Sequence, residues 1–328
     1  MKEHWYLLRE FESSDLVIEH IKNRYGYSPS KEKAYEITSF FTQGREFFES
    51  AHKSDISVMP ILQYYGILAL SRGLILVLNK SARENSIKPS HGLAFVGWDK
   101  KFADISIKIT KGTFLELIDA TDNVSLFRCS SSGVNWSVSY PIPNTGECIS
   151  MKKLAFCYPD LADQIKVWFG DVAPIVRFST LKTTDDTIDL SLDSQIDNEI
   201  MKTIFPIDVF DDAKLLSVDD KHHVILKVGE YPNITQKWVS CFQTIGDVYL
   251  CPPICKDLRL NLVSTLFATS YILCMISRYH PSAWQKVHRG ISNDRILPFV
   301  IKLLDLITDR YPQIIVDFLK SSDSFKQQ

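Results

Sequence analysis

The sequence predicts an α+β fold in which N- and C-terminal helices pack together as a helical core and a β-rich middle is inserted between them. Two observations carry this expectation. Apolar residues recur at helical spacing near both ends of the chain, whereas in the middle they alternate with a period of two. Neither helical end can bury its apolar face alone, so the two are expected to meet. The predicted parts are 1–95 (helical), 96–255 (β-rich) and 256–328 (helices completing the core), together one compact unit.

The first clear helix is residues 31–52, where Ala34, Ile37, Phe40, Phe41, Phe47, Phe48 and Ala51 form an apolar stripe behind a cap at Ser30. Pro60 opens a second helix as a first-turn proline, and residues 61–78 are apolar nearly all round, the mark of a helix enclosed by others. His91-Gly92 reads as a turn. Residues 105–109 then alternate until Gly112 stops them, and residues 134–140 alternate around Trp136 and Val138. Residues 171–179, 224–228 and 247–250 are further strand expectations. Between them lies an acidic stretch from Asp185 to Asp220, read as solvated surface. Helix returns at 258–279, in a short piece at 281–287, at 296–310, and, restarted by Pro312, at 312–319.

Composition sets bounds. With 328 residues, 45% hydrophobic and 23% charged, the chain has the profile of a globular protein and not of a disordered or low-complexity one. Lys and Arg number 37 against 39 Asp and Glu, so no global basic field exists, and any anionic partner must use a local patch. One such patch is offered by Arg278, Lys286, Arg289 and Arg295, opposed only by Asp294. The charged start, with Lys2, Glu3, Arg9, Glu10 and Glu12, lacks a signal-like apolar run, which leads to the expectation of a cytoplasmic protein. Seven scattered cysteines suit free thiols. Residues 60–79 and 260–277 approach the roughly 20 apolar residues of a membrane span, but Gln63, Ser71 and Arg72 interrupt the first and Asn261, Ser264, Thr265, Thr269 and Ser270 the second. Buried helices are expected, and no membrane partner.

No Gly-rich phosphate loop, zincin, hydrolase-elbow or dinucleotide motif is present, so no cofactor is implied. Cys251 and Cys255 are two thiols where zinc needs four ligands, and adjacent His222 and His223 would face opposite ways on a strand. No metal is expected. Arg45 and His52 have the spacing of metal-independent ribonucleases, in which histidine shuttles the 2′-hydroxyl proton and arginine stabilises the phosphorane. Glu46, next to Arg45, would repel a phosphate.

The run Pro60-Ile61-Leu62-Gln63-Tyr64-Tyr65-Gly66 through Arg72, the segment Ser90-His91-Gly92-Leu93, and Arg278-Tyr279-His280-Pro281 through Trp284 carry a family likeness. With Trp5 and Gly112-Thr113-Phe114, they make the chain resemble the bacterial YaaC family nearly end to end. The family commonly has lysine where this chain has Arg72. The resemblance implies a cytoplasmic bacterial protein of unassigned activity, read first as a partner-binding component of a larger assembly or homo-oligomer. Over residues 31–95 the chain is also similar to the helical core of HEPN proteins. That likeness implies the alternative, a metal-independent ribonuclease or a nucleotide-binding effector of a toxin or phage-defence system.

Within those motifs, His91 is the titratable group suited to acid-base work near neutrality. The sharp expectation is that Arg72, His91 and Arg278 converge into an anion site for a nucleotide or RNA phosphate, with His91 and Arg278 catalytic and Arg289 a further anion contact. Opposed to it stand a structural ion pair for Arg72, a helix-end role for Arg278, and core positions for Tyr64, Tyr65 and Trp284.

Overall fold

The computed structural model describes residues 3–128, 134, 136–170, 173–183, 187–192, 213–218, 221–227, 248–255, 258–289, 291 and 294–321. Its helices are α1 (Glu3–Arg9), α2 (Ser14–Tyr25), α3 (Lys31–Lys53), α4 (Met59–Leu78), α5 (Thr113–Ala120), α6 (Met151–Ala155), α7 (Ala162–Phe169), α8 (Leu262–Tyr279), α9 (Pro281–His288) and α10 (Leu297–Lys320). Its strands are β1 (His91–Val96), β2 (Ser106–Gly112), β3 (Val124–Phe127), β4 (Trp136–Ser139), β5 (Cys148–Ser150), β6 (Val176–Thr183), β7 (Thr187–Leu192), β8 (Ala213–Val218), β9 (Lys221–Lys227) and β10 (Val248–Leu250). The class is α+β, with helices at both termini and antiparallel sheets in the middle.

By contacts the chain divides into two units. The first comprises Met1–Asn123, Ile142–Met151 and Asn261–Gln328; the second comprises Val124–Pro141 and Lys152–Leu260. In the first, α4 packs against α3, α8 and α10. Two of its buried polar side chains bond across to α10: Gln63 Nε2 donates to Leu304 O at 2.8 Å and to Thr308 Oγ1 at 2.7 Å, and Ser71 Oγ lies 2.6 Å from Tyr311 Oη. Lys33, itself buried, donates to Asn79 O and Lys80 O and so satisfies carbonyls where α4 ends; burial brings its ammonium pKa down to about 8. By length and composition α4 and α8 could each cross a membrane, and most of each is buried inside the protein. The unit also holds the sheet β1-β2-β5.

The second unit holds the pair β3-β4 and the five-stranded antiparallel sheet β10-β6-β7-β9-β8. Its buried side chains include Leu161, Ile165 and Trp168 from the α7 region, with Val176 and Cys251. His222 and His223 are consecutive residues of β9.

Several expectations shift. Ser30 caps α3 as expected, its Oγ accepting from Lys33 N at 3.2 Å. The helix expected from 258 starts at Leu262, because Asn261 accepts from Ser264 N and so acts as the N-cap. The break expected at Pro312 is absent: α10 runs through it. Pro312 removes one hydrogen bond, but Leu303, Leu304 and Ile307 before it and Ile315 and Leu319 after it bury on one face and hold the axis continuous. The turn expected at His91-Gly92 is instead the start of β1. Most of the acidic stretch, from Asp185 and Asp186 through Asp193 to Asp212, Asp219 and Asp220, lies outside the described residues, as do Asp171, Val228 and Asp247. Cys148, Cys157 and Cys274 are free thiols; Cys129 and Cys241 lie outside the described residues.

Candidate anion-binding site

The site begins with a joint between two short segments distant in sequence. β1 and β2 pair antiparallel with His91 opposite Gly112, and the register shifts between His91 and Leu93. This bulge requires two glycines. Gly92 has φ +79°, and a Cβ there would lie 2.7 Å from Phe114 N; Gly112 has φ +150°, and a Cβ there would strike Ser90 Oγ and Gly92 N. Thr113 N and Thr113 Oγ1 each donate to Ser90 O at 3.0 Å, and Ser90 Oγ donates to Lys111 O at 2.9 Å. Ser90-His91-Gly92 and Gly112-Thr113-Phe114 are therefore one structural element, built to hold His91 at a fixed place.

His91 is half-buried, and its Nδ1 lies 2.7 Å from Tyr64 Oη. The direction of this bond follows from burial. Tyr64 is fully buried and its hydroxyl has no other hydrogen-bond partner among the described residues; burial, reinforced by Cys274 and Tyr271, keeps it protonated. A buried O–H left without an acceptor is costly, so Tyr64 donates to Nδ1 and the His91 proton resides on Nε2. Burial lowers the His91 pKa, and the charges of Arg72 and Arg278 lower it further. The imidazole is thus neutral near pH 7 and presents an N–H donor. Tyr271 fixes the ring from another side, at 5.6 Å between centroids, while its own hydroxyl donates to Leu93 O at 3.1 Å.

Arg72 and Tyr65 lie seven residues apart, two turns along one face of α4. Arg72 is half-buried and its Nε donates to Thr113 Oγ1 at 3.3 Å, a long bond. Arg278, exposed in the last turn of α8, donates from Nη1 to Tyr65 Oη at 3.1 Å, and its guanidinium lies 5.0 Å from the Tyr279 ring centre. Neither arginine forms an ion pair with a carboxylate among the described residues. The ion pair expected for Arg72 is therefore replaced by a hydroxyl contact. Other arginines of the same unit are neutralised: Arg83 binds Glu36 at 2.7 Å, and Arg45 binds Glu12 at 2.7 Å and Glu49 at 3.0 Å, with Glu46 at 3.8 Å.

Of the residues singled out in the sequence, Arg72 and Arg278 are linked to His91 by the effect of their charges on it. Arg45 and His52 lie elsewhere: the Arg45 fork is filled by carboxylates, and His52 lines a cavity of about 470 Å³ with His4, Trp5, Phe48, Glu49 and Thr308. A phosphate at Arg45 would have to displace Glu12 and Glu49. Arg289 stands beside Asp55, whose carboxyl is held low first by hydrogen bonds from Ser57 and then by His288 and Arg289. Its charge is not among those that perturb His91. Ser90, Thr113 and Tyr271 complete the site; the first two stand in the family-like motifs, where they were given no role, and Tyr271 was not singled out. Among the described residues no three His, Cys, Asp or Glu side chains are grouped to hold a metal ion.

In comparison with known proteins, the sequence profile described as YaaC-like Protein matches residues 9–319. No curated protein and no solved structure matches the chain.

Proposed function

The chain belongs to the YaaC-like family, and from that premise we propose that it is a binding component holding a phosphate-bearing ligand between Arg72 and Arg278, with His91 Nε2–H as a third donor. One observation carries the reading: two arginines without a carboxylate partner among the described residues both act by their charge on one neutral histidine. Guanidinium forks suit phosphate oxygens. On a protein of net charge -2, cations left unneutralised at one place are the local patch an anion needs. A partner in a larger assembly would then respond to occupancy of this site rather than to turnover.

The ribonuclease alternative asks His91 to abstract a proton. With Nδ1 accepting from Tyr64 and Nε2 already protonated, the imidazole offers a donor and no free base. At the competing pair, Arg45 is bound to Glu12 and Glu49.

Pyrophosphate titrated into the purified protein tests the proposal. Wild type should bind it, less tightly as salt rises. Arg72→Gln and Arg278→Gln should each weaken binding by roughly 10- to 150-fold, the range for one hydrogen bond to a charged group. Since Arg278 is exposed, its variant should keep wild-type thermal stability. Equal affinity in all three proteins would remove the proposal, and His91-dependent cutting of RNA by wild type would put the ribonuclease reading in its place.

A further inference from the structure

Three helices, α1, α3 and α10, line a cavity of about 470 Å³ that shares no residue with the phosphate site. Its volume is that of a small-molecule pocket. Trp5 of α1 and Phe48 of α3, both buried, give it an apolar wall, their ring centres 5.4 Å apart. Helical spacing of three and four residues puts Phe48, Glu49 and His52 on one face of α3, and Asp309 brings a second carboxylate from α10. Thr308, also in the lining, spends its hydroxyl on Leu304 O and on the Gln63 amide. The carboxylates therefore decide which ligand the cavity prefers. Among the described residues no lysine or arginine lines it. Arg45 donates from Nη1 to Glu49 Oε1 at 3.0 Å, but the same guanidinium serves Glu12 from Nε at 2.7 Å and from Nη2 at 3.2 Å, and has Glu46 at 3.8 Å. One cation thus meets three carboxylates, and Glu49 Oε2 accepts no hydrogen bond among the described residues.

We infer that this cavity binds a small organic cation, an ammonium group on an apolar body, with the body against Trp5 and Phe48 and the ammonium donating to Glu49. Asp309 adds to the negative field that draws the cation in. Removing the body from water supplies a favourable term proportional to its apolar area, and a hydrogen bond between an ammonium and a carboxylate is stronger than a neutral one. An anion of the same shape would meet two carboxylates. A neutral molecule would cover Glu49 without matching its charge. A bare metal ion would leave the apolar wall unfilled, and no three metal-ligating side chains are grouped to hold one among the described residues.

Calorimetric titration of the full chain with tryptamine, tryptophol and indole-3-acetate tests this, because the three share one ring system and end in an ammonium, a hydroxyl and a carboxylate. Methylammonium supplies the charge without the body. Tryptamine should bind at least about tenfold more tightly than tryptophol or methylammonium, and indole-3-acetate should bind most weakly. Glu49→Gln should lose roughly 10- to 150-fold of tryptamine affinity, the range for one hydrogen bond to a charged group, and leave tryptophol affinity at the wild-type value. Glu46→Gln removes a carboxylate near Arg45 that does not line the cavity, and should bind tryptamine as wild type does. His52 is exposed, so His52→Trp fills the cavity from its rim without touching a carboxylate. It should block tryptamine, which keeps the test decisive even where Glu49→Gln loosens α3. Equal affinity for the three indoles, tryptamine held no better than methylammonium, or tryptamine binding unchanged in Glu49→Gln or in His52→Trp would overturn the organic-cation site. So would wild type that binds none of the four probes.

Discussion

Gly112→Ala should destabilise the protein by about 3 kcal/mol or more, combining backbone strain with displacement of packed backbone. The reason is local. At φ +150° a Cβ is strained wherever it points, and here it would strike Ser90 Oγ and the Gly92 nitrogen, neither of which can withdraw without breaking the bulge that presents His91. Gly26→Ala is the control. Gly26 also has a positive φ, +71°, but nothing lies within 4 Å of its would-be Cβ, so only the conformational cost of about 1 kcal/mol applies. Urea unfolding of both variants would measure the difference. A Gly112 variant no weaker than the Gly26 variant would mean that the joint between the two motifs is soft. The same variant should lose pyrophosphate binding, since His91 and Thr113 move with the bulge.

Trp284→Ala should cost about 3 to 5 kcal/mol. Trp284 is 1% exposed on α9, and its Nε1 donates to Ile56 O at 3.0 Å in the turn before α4. One side chain from the C-terminal part is therefore buried and also satisfies a main-chain carbonyl of the N-terminal part. Removing it leaves a cavity and an acceptor without its donor. Trp284→Phe, which keeps most of the volume and loses the N–H, should fall between the alanine variant and wild type. A cost below about 1 kcal/mol for the alanine variant would contradict the mutual burial of the two helical ends.

Much of this helical packing was legible from spacing alone. The stripe of α3 and the all-round apolar surface of α4 are strong signals, and burial follows both. α1 and α2 gave little signal because each is short and buries only a few residues, Trp5 and Leu8 in one, Val17 and Ile21 in the other. Pro312 misled because local propensity was weighed without the burial on both sides of it. β1 was missed because His91-Gly92 carries the composition of a turn, and a bulge uses glycine for the same conformational reason as a turn does.

The site was half legible. Its three titratable residues stood out in the family-like motifs, but the way they act on one another depends on α4 packing against α8 and on the bulge, neither of which spacing encodes. The same holds for charge. Arg45 and Arg72 look alike in sequence; Glu12, from a different element, neutralises the first, and no carboxylate reaches the second among the described residues.

The most direct measurement is the imidazole nitrogen spectrum of His91, followed by pH titration with and without pyrophosphate. A neutral ring at pH 7 is predicted, protonated on Nε2, with Nδ1 accepting from Tyr64 and a midpoint below the ordinary histidine value. Arg278→Gln should raise that midpoint, because it removes a cation that opposes protonation. Pyrophosphate should shift the Nε2 resonance in wild type, and much less in the arginine variants. A His91 protonated on Nδ1 with a bare Nε2, or a spectrum unmoved by saturating pyrophosphate, would contradict the anion site.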